Sequence, residues 1–312
     1  MDKSAFQGSN SSLNDHVTAK AHQNLFIGTS SWKYPGWCGS VYDESKYLTR
    51  NKFSEAKFER ECLAEYAEMF STVCVDAGYY KFPNEAYLQK LTSQVSLGFL
   101  FGFKVTDDIT LKTFPNLPRF GLKAGKPNPD FLNAELFEEF FLQPCARYAS
   151  HIGVLMFEFT QFHPSDFEHG RDFVSALDKF LASLPKRWQY GVEIRNKAFL
   201  HPDYFACLRS HDVAHVFNSW SRMPSVTDQL AMEDSVTTDF VAARFLLKPG
   251  RSYTQAVEGF SPYNSIKEVN EEARKAGKAL IIKAKEGKRK SFIFVNNRLE
   301  GHAPSTITAM LD

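Results

Sequence analysis

The chain is poor in the features that assign a protein quickly. Cysteine is scarce: five residues in 312, namely Cys38, Cys62, Cys74, Cys145 and Cys207, odd in number, far apart and never in a C-x-x-C pair. That argues against a disulfide framework and a thiolate metal cluster, and it favours a reducing compartment. Net charge is almost absent, since 37 Lys and Arg against 36 Asp and Glu leave +1, so the chain has no general attraction to nucleic acid or to an anionic membrane. No run approaches the roughly 18 apolar residues of a membrane span, and the amino terminus lacks a basic-then-apolar leader. These absences lead us to expect a cytoplasmic protein without membrane attachment.

What is present is a large apolar complement: 43% hydrophobic residues, among them 29 Phe. It is enough for one barrel of this length or for two smaller domains. Residues 1–23, rich in Ser, Asn, Gln and His, show no apolar periodicity and read as a disordered polar tail. From Leu25 onward come eight short apolar runs: 25–30, 71–76, 98–104, 152–158, 188–199, 213–217, 240–246 and 291–296. Helical patterns separate them, for example Phe58, Cys62, Tyr66 and Phe70 before the second and Leu136, Phe140 and Phe141 before the fourth. Strands alternating with helices and unbroken by a linker predict an α/β fold, a single parallel eight-stranded (β/α)8 TIM barrel over residues 24–312.

The run Trp188–Phe199 is the most informative. In a strand, residues two apart share a face, so Gly191, Glu193 and Arg195 point one way while Val192 and Ile194 point the other. A charged pair in a strand covered by helices belongs inside the barrel, near its carboxyl end. Other strands also end in polar residues: Asp76, Lys104, Glu158, Arg244 and Asn296. In such barrels these ends form the active-site face.

The fragments Gly28–Trp32 with Tyr34 and Trp37, Tyr79-Tyr80 with Pro83, Phe101–Lys104 followed by Ile109-Thr110, Val192–Arg195, and Phe294–Asn297 followed by Gly301–Pro304 occur in one order and spacing. In these the chain resembles the DUF72 family of YecE-like, TM1631-like TIM barrels, over nearly all of residues 24–312. The resemblance implies the barrel and a family of unestablished activity. The chain departs from the family pattern in carrying Asp76 for Glu, Glu158 for Gln, Leu111 for His after Thr110, and Phe199 for Trp.

Asp76, Glu158 and Glu193 are the candidate catalytic residues, because neighbouring charges and burial separate carboxylate pKa values for acid–base work. Glu193 reads equally as a partner of Arg195 or Arg244 in a structural ion-pair network. Candidate substrate-binding residues are Trp32, Tyr34, Trp37, Lys104, Thr110, Arg195, Asn218, Arg244, Asn296 and Asn297. Trp32 reads as core packing, whereas Tyr34 and Trp37 suit either packing or stacking on a ligand.

Arg244, Lys248, Arg251, Asn296 and Asn297, with a helix opening at Gly301–Pro304, fit the phosphate site that such barrels build after strands seven and eight. Ordinary helix capping fits the same residues. The long loop 105–129 holds Lys112, Arg119, Lys123 and Lys126 against Asp107 and Asp108, which favours an anionic ligand. The cluster Lys283–Lys290 precedes the eighth strand and reads as a solvated loop on the opposite face.

No metal ligand is assigned and the cofactor is unknown. A divalent metal is not favoured, with Glu158, His163 and Asp76 the nearest to a ligand set, because His211 and His215 straddle a helix end and a strand. The reading is an enzyme acting on a small polar or anionic, phosphate-bearing substrate, with phosphoester or nucleic-acid hydrolysis as the class. A carbohydrate hydrolase using two carboxylates, and a non-catalytic barrel binding a metabolite or nucleic acid, are the alternatives.

Overall fold

The computed structural model describes residues 24–312 and, ahead of them, Val17. The tail expected over residues 1–23 therefore lies outside the described residues, Val17 apart. Eight strands close into a parallel barrel: β1 Leu25–Thr29, β2 Thr72–Val75, β3 Leu100–Lys104, β4 Ile152–Glu158, β5 Tyr190–Glu193, β6 Ala214–Ser219, β7 Phe240–Phe245 and β8 Lys290–Val295. Each pairs with its neighbours in sequence, and β1 closes on β8 from Leu25 opposite Ser291 to Thr29 opposite Val295. A helical layer surrounds the sheet. Among the described residues no helix is long and apolar enough to cross a membrane.

The outer helices form where a cap and an apolar stripe coincide. Ser54 Oγ accepts from Lys57 N at 3.3 Å to start Glu55–Met69, whose buried face carries Phe58, Cys62 and Tyr66 at four-residue spacing. Two of the boundary shifts bear on the site. The fifth strand stops at Glu193, so Arg195 lies above the ladder instead of in it. The sixth runs two residues beyond Phe217 and pairs Asn218 with Arg244. The helical stretch Ala134–Ala146 contains a π-helical turn at Glu138–Leu142, which leaves Phe140 45% exposed while Phe141 is buried.

Side-chain alternation within the barrel positions the site. The lower interior is a separate apolar cluster that includes Phe26, Met156, Val216, Ala242 and Phe294. Phe294 reaches across to β3, where a Cβ on Gly102 would lie 2.4 Å from its ring, so the glycine makes room for the plug. Two residues further along each strand the interior turns polar: Ser30 follows Gly28, Asp76 follows Cys74, Lys104 follows Gly102, and Glu158 follows Met156. Likewise Glu193 follows Gly191, Asn218 follows Val216, Arg244 follows Ala242, and Asn296 follows Phe294. Period-two alternation thus places one polar side chain per strand in the uppermost layer.

Candidate active site

Charges in that layer are balanced and tightly joined. Glu158 Oε2 receives Lys104 Nζ at 2.9 Å, Arg195 Nη2 at 2.9 Å and Arg244 Nη1 at 2.5 Å. Glu193 Oε1 accepts from Arg195 Nε and Nη2 at 3.3 and 3.1 Å, and its Oε2 accepts from Arg244 Nη1 at 2.6 Å. Arg244 Nη2 also lies 3.5 Å from Asp76 Oδ1. Three cations therefore face three carboxylates. Burial alone would push the Glu158 carboxyl up, but Arg195, Lys104 and Arg244 outweigh it and hold the group well below the usual carboxylate range. For Arg244 burial works against the charge, and Glu193 with Glu158 more than restore it.

This geometry reassigns several candidates. A glycosidase acid must keep a proton at its working pH, whereas Glu158 is held ionised and the Arg244 guanidinium occupies the space between it and Glu193. Both glutamates hold the cations in place, and the carbohydrate reading loses its second carboxylate. Arg244 itself is only 2% exposed and is spent on carboxylates, so it is a keystone of the layer and not a free anion ligand. Asp76 differs. Its side chain is 36% exposed at the opening, which makes it the carboxylate of this layer that a ligand could reach.

Above the layer, cations rest on aromatic faces. Arg195 lies 3.7 Å from the Trp220 ring centroid and Lys104 Nζ 3.9 Å from that of Tyr79. Lys104 and Arg195 side chains are 9% and 12% exposed, so their upper edges reach the opening. Tyr34 packs on Trp37 and edge-on to Tyr263, and burial pushes its hydroxyl up to about 12. Trp220 and Tyr263 escaped the sequence reading because they lie in loops with no pattern of their own. For Trp220 the position directly after a strand was the available signal.

Other candidates have structural partners. Trp32 is 6% exposed, and Trp37 is fully buried between Tyr42 and Tyr66, so neither offers a stacking face. Thr110 is buried and leans 3.5 Å onto Thr106 O within its own short helix. Asn218 Nδ2 donates to Ile194 O at 3.2 Å, and Asn296 Oδ1 accepts from Arg298 N at 2.9 Å.

The phosphate site expected after strands seven and eight is corrected. Asn297 Oδ1 accepts from Ala303 N at 2.8 Å and from Trp37 Nε1 at 3.3 Å, and His302 Nδ1 accepts from Ser305 N at 3.3 Å. The amino end of helix Ala303–Leu311 is therefore capped by its own chain. Lys248 pairs with Glu268 at 2.9 Å and Arg251 pairs with the same carboxylate. In the long loop Arg119 meets Asp107 at 2.5 Å and Lys123 lies 3.9 Å from Asp108, which leaves Lys126 and Lys112, the latter 4.1 Å from the Phe167 ring centroid, as the basic excess. His163 is exposed, while His215 is buried against Tyr204 and Gln229. Asp76, Glu158 and His163 do not gather as a metal-binding group. Among the described residues the grouping that could hold one is Asp178, Cys207 and His211.

A family profile described as "Protein of unknown function DUF72" matches residues 26–312. The chain belongs to the DUF72 family. Two solved DUF72 structures share its fold. One, from Enterococcus faecalis V583, has 16% sequence identity and a TM-score of 0.60, covering 92% of this chain and 95% of that one. The other, from Thermotoga maritima MSB8, has 17% identity and a TM-score of 0.57, covering 92% and 96%. At these identities the likeness to DUF72 structures concerns the fold. No curated protein matches the chain.

Proposed function

We propose that the barrel mouth binds a small polar, phosphate-bearing substrate and that Asp76 moves a proton in its hydrolysis. The observation that carries this reading is the layering itself. Glu158 and Glu193 hold Lys104 and Arg195 in place, and both cations keep some exposed surface, 9% and 12% of their side chains. Two layer atoms, Ser30 Oγ and Asn218 Oδ1, are buried and make no hydrogen bond among the described residues, which supports a polar occupant. Holding cations in advance of the ligand lowers the reorganisation required when charge develops on a phosphoryl oxygen.

Thermal unfolding against phosphosugars, nucleotides, short oligonucleotides and neutral sugars, each with and without divalent metal, tests the binding. A ligand at about 100 times its dissociation constant adds roughly 2.7 kcal/mol and raises the midpoint by a few degrees. Shifts confined to phosphate-bearing compounds and lost in Arg195→Ala support the reading, as does phosphate release abolished by Asp76→Asn. Shifts with neutral sugars alone overturn it. Binding without turnover would leave a metabolite-binding or nucleic-acid-binding barrel.

A further inference from the structure

On the outer wall, away from the mouth, two helices bring three donors of different chemistry together. Asp178 lies on Gly170–Ser183, Cys207 lies on Pro202–Ser210, and His211 caps the end of that second helix. The four-residue step from Cys207 to His211 sets both on the face turned towards Asp178. His211 Nε2 stands 2.7 Å from Asp178 Oδ1, Cys207 Sγ stands 4.0 Å from the same oxygen, and all three donor atoms fall within 4.8 Å of one another. Because a barrel helix runs back against its strands, this helix end belongs to the amino-terminal face of the barrel.

We infer that Asp178, Cys207 and His211 form a three-ligand site for a thiophilic divalent cation of the zinc type, clamping the two helices. The donor set fits in number, softness and charge. Sulfur with imidazole selects zinc or cobalt over magnesium or calcium, and three protein ligands leave one tetrahedral position for water. Thiolate, carboxylate and neutral imidazole together carry two negative charges, which a divalent ion cancels.

Burial is graded in the same sense. Cys207 is 7% exposed and the His211 side chain 13%, closing the site from within, while the Asp178 side chain is 55% exposed and opens it to an arriving ion. On binding, the metal replaces the proton that otherwise joins His211 to Asp178. A nucleophilic role for Cys207 suits the surroundings less well. Burial, with Asp178 beside it, pushes the thiol up to about 11, and the hydrogen-bond partners of its sulfur among the described residues are Val174 O and Asp178 Oδ1. The inference is independent of the activity proposed for the mouth.

Titration of the full chain with Co2+ provides the test. The expected result is a thiolate-to-cobalt charge-transfer band in the near ultraviolet, with visible bands of a four-coordinate ion, saturating at one equivalent and displaced by Zn2+. Cys207→Ser removes the charge-transfer band, Cys38→Ser retains it, and His211→Gln and Asp178→Asn each weaken binding by about ten-fold or more. Circular dichroism checks the fold of every variant. Absence of the band at one equivalent, or its survival in Cys207→Ser, overturns the site. Should Cys207→Ser not fold, unchanged cobalt affinity in both His211→Gln and Asp178→Asn has the same force.

Discussion

Arg244 donates from Nη1 to Oε2 of Glu193 at 2.6 Å, with both side chains sealed from solvent, one strand apart across β6. The pair is one arm of the Glu158–Arg244–Glu193 bridge, so removing the arginine leaves two carboxylates facing each other in a low-dielectric interior. Breaking a buried ion pair from one side costs about 3–5 kcal/mol. Arg244→Met is expected to lower urea stability by that amount. Adding Glu193→Gln to it should recover most of the loss, because Lys104 and Arg195 then face Glu158 and Asp76 and the charges of the layer balance again. A double variant no more stable than Arg244→Met would show that the bridge matters through packing and not through charge.

The Arg195–Trp220 stack separates binding from stability. Trp220 is only partly buried, and an arginine over its ring contributes about 0.5–2 kcal/mol. Trp220→Leu is expected to cost under about 1 kcal/mol of stability while weakening phosphate-bearing ligands about five-fold, since the guanidinium loses the face that orients it. Ligand titration beside a denaturant curve distinguishes the two effects. Equal loss in both would make Trp220 a packing residue only.

The barrel was legible because buried parallel strands read as apolar runs and because period two carries a charge at Glu193 inward with Gly191. Asp76, Lys104, Glu158 and Arg244 were legible as polar strand ends for the same reason. Which of them are spent was not. Arg244 meets its partners across 86 and 51 positions of sequence, and no local pattern encodes such a distance. The sequence left two readings open for Asn297, an anion site or ordinary helix capping, and the contact that favours capping is a bond from the backbone six residues on.

Asn297 therefore gives a sharp comparison. In Asn297→Ala the Ala303 amide loses its cap and the buried Trp37 indole loses its acceptor. A lost cap costs about 1 kcal/mol, and an unpaired buried donor about 1–3 kcal/mol. Asn297→Asp keeps an oxygen at both partners and adds a charge favoured at a helix amino end, so it should be nearer to wild type than the alanine variant. Added inorganic phosphate should not rescue Asn297→Ala, because Ser305 N remains capped by His302. Rescue by phosphate would restore the anion site that the capping displaced.

The pH dependence of stability has a definite sign. His215 is fully enclosed between Tyr204 and Gln229, and burial drives its pKa down to about 4 although the bond to Gln229 opposes the shift. His302 is lowered to about 4 by burial as well. In the unfolded chain both titrate near 6.5, so between these values the unfolded state binds more protons and folding is favoured by raising the pH. The stability due to each neutral imidazole is complete above about pH 6.5 and is lost as the pH falls towards 4, amounting to about 3 kcal/mol for His215. Urea curves at pH 7.0 and 4.5 should show that decline. His215→Gln, which keeps a hydrogen-bonding side chain and does not titrate, should flatten it by about one proton. An undiminished slope in the variant would mean that His215 is already protonated in the fold, and the Tyr204 and Gln229 contacts would then have to be read as bonds from an imidazolium.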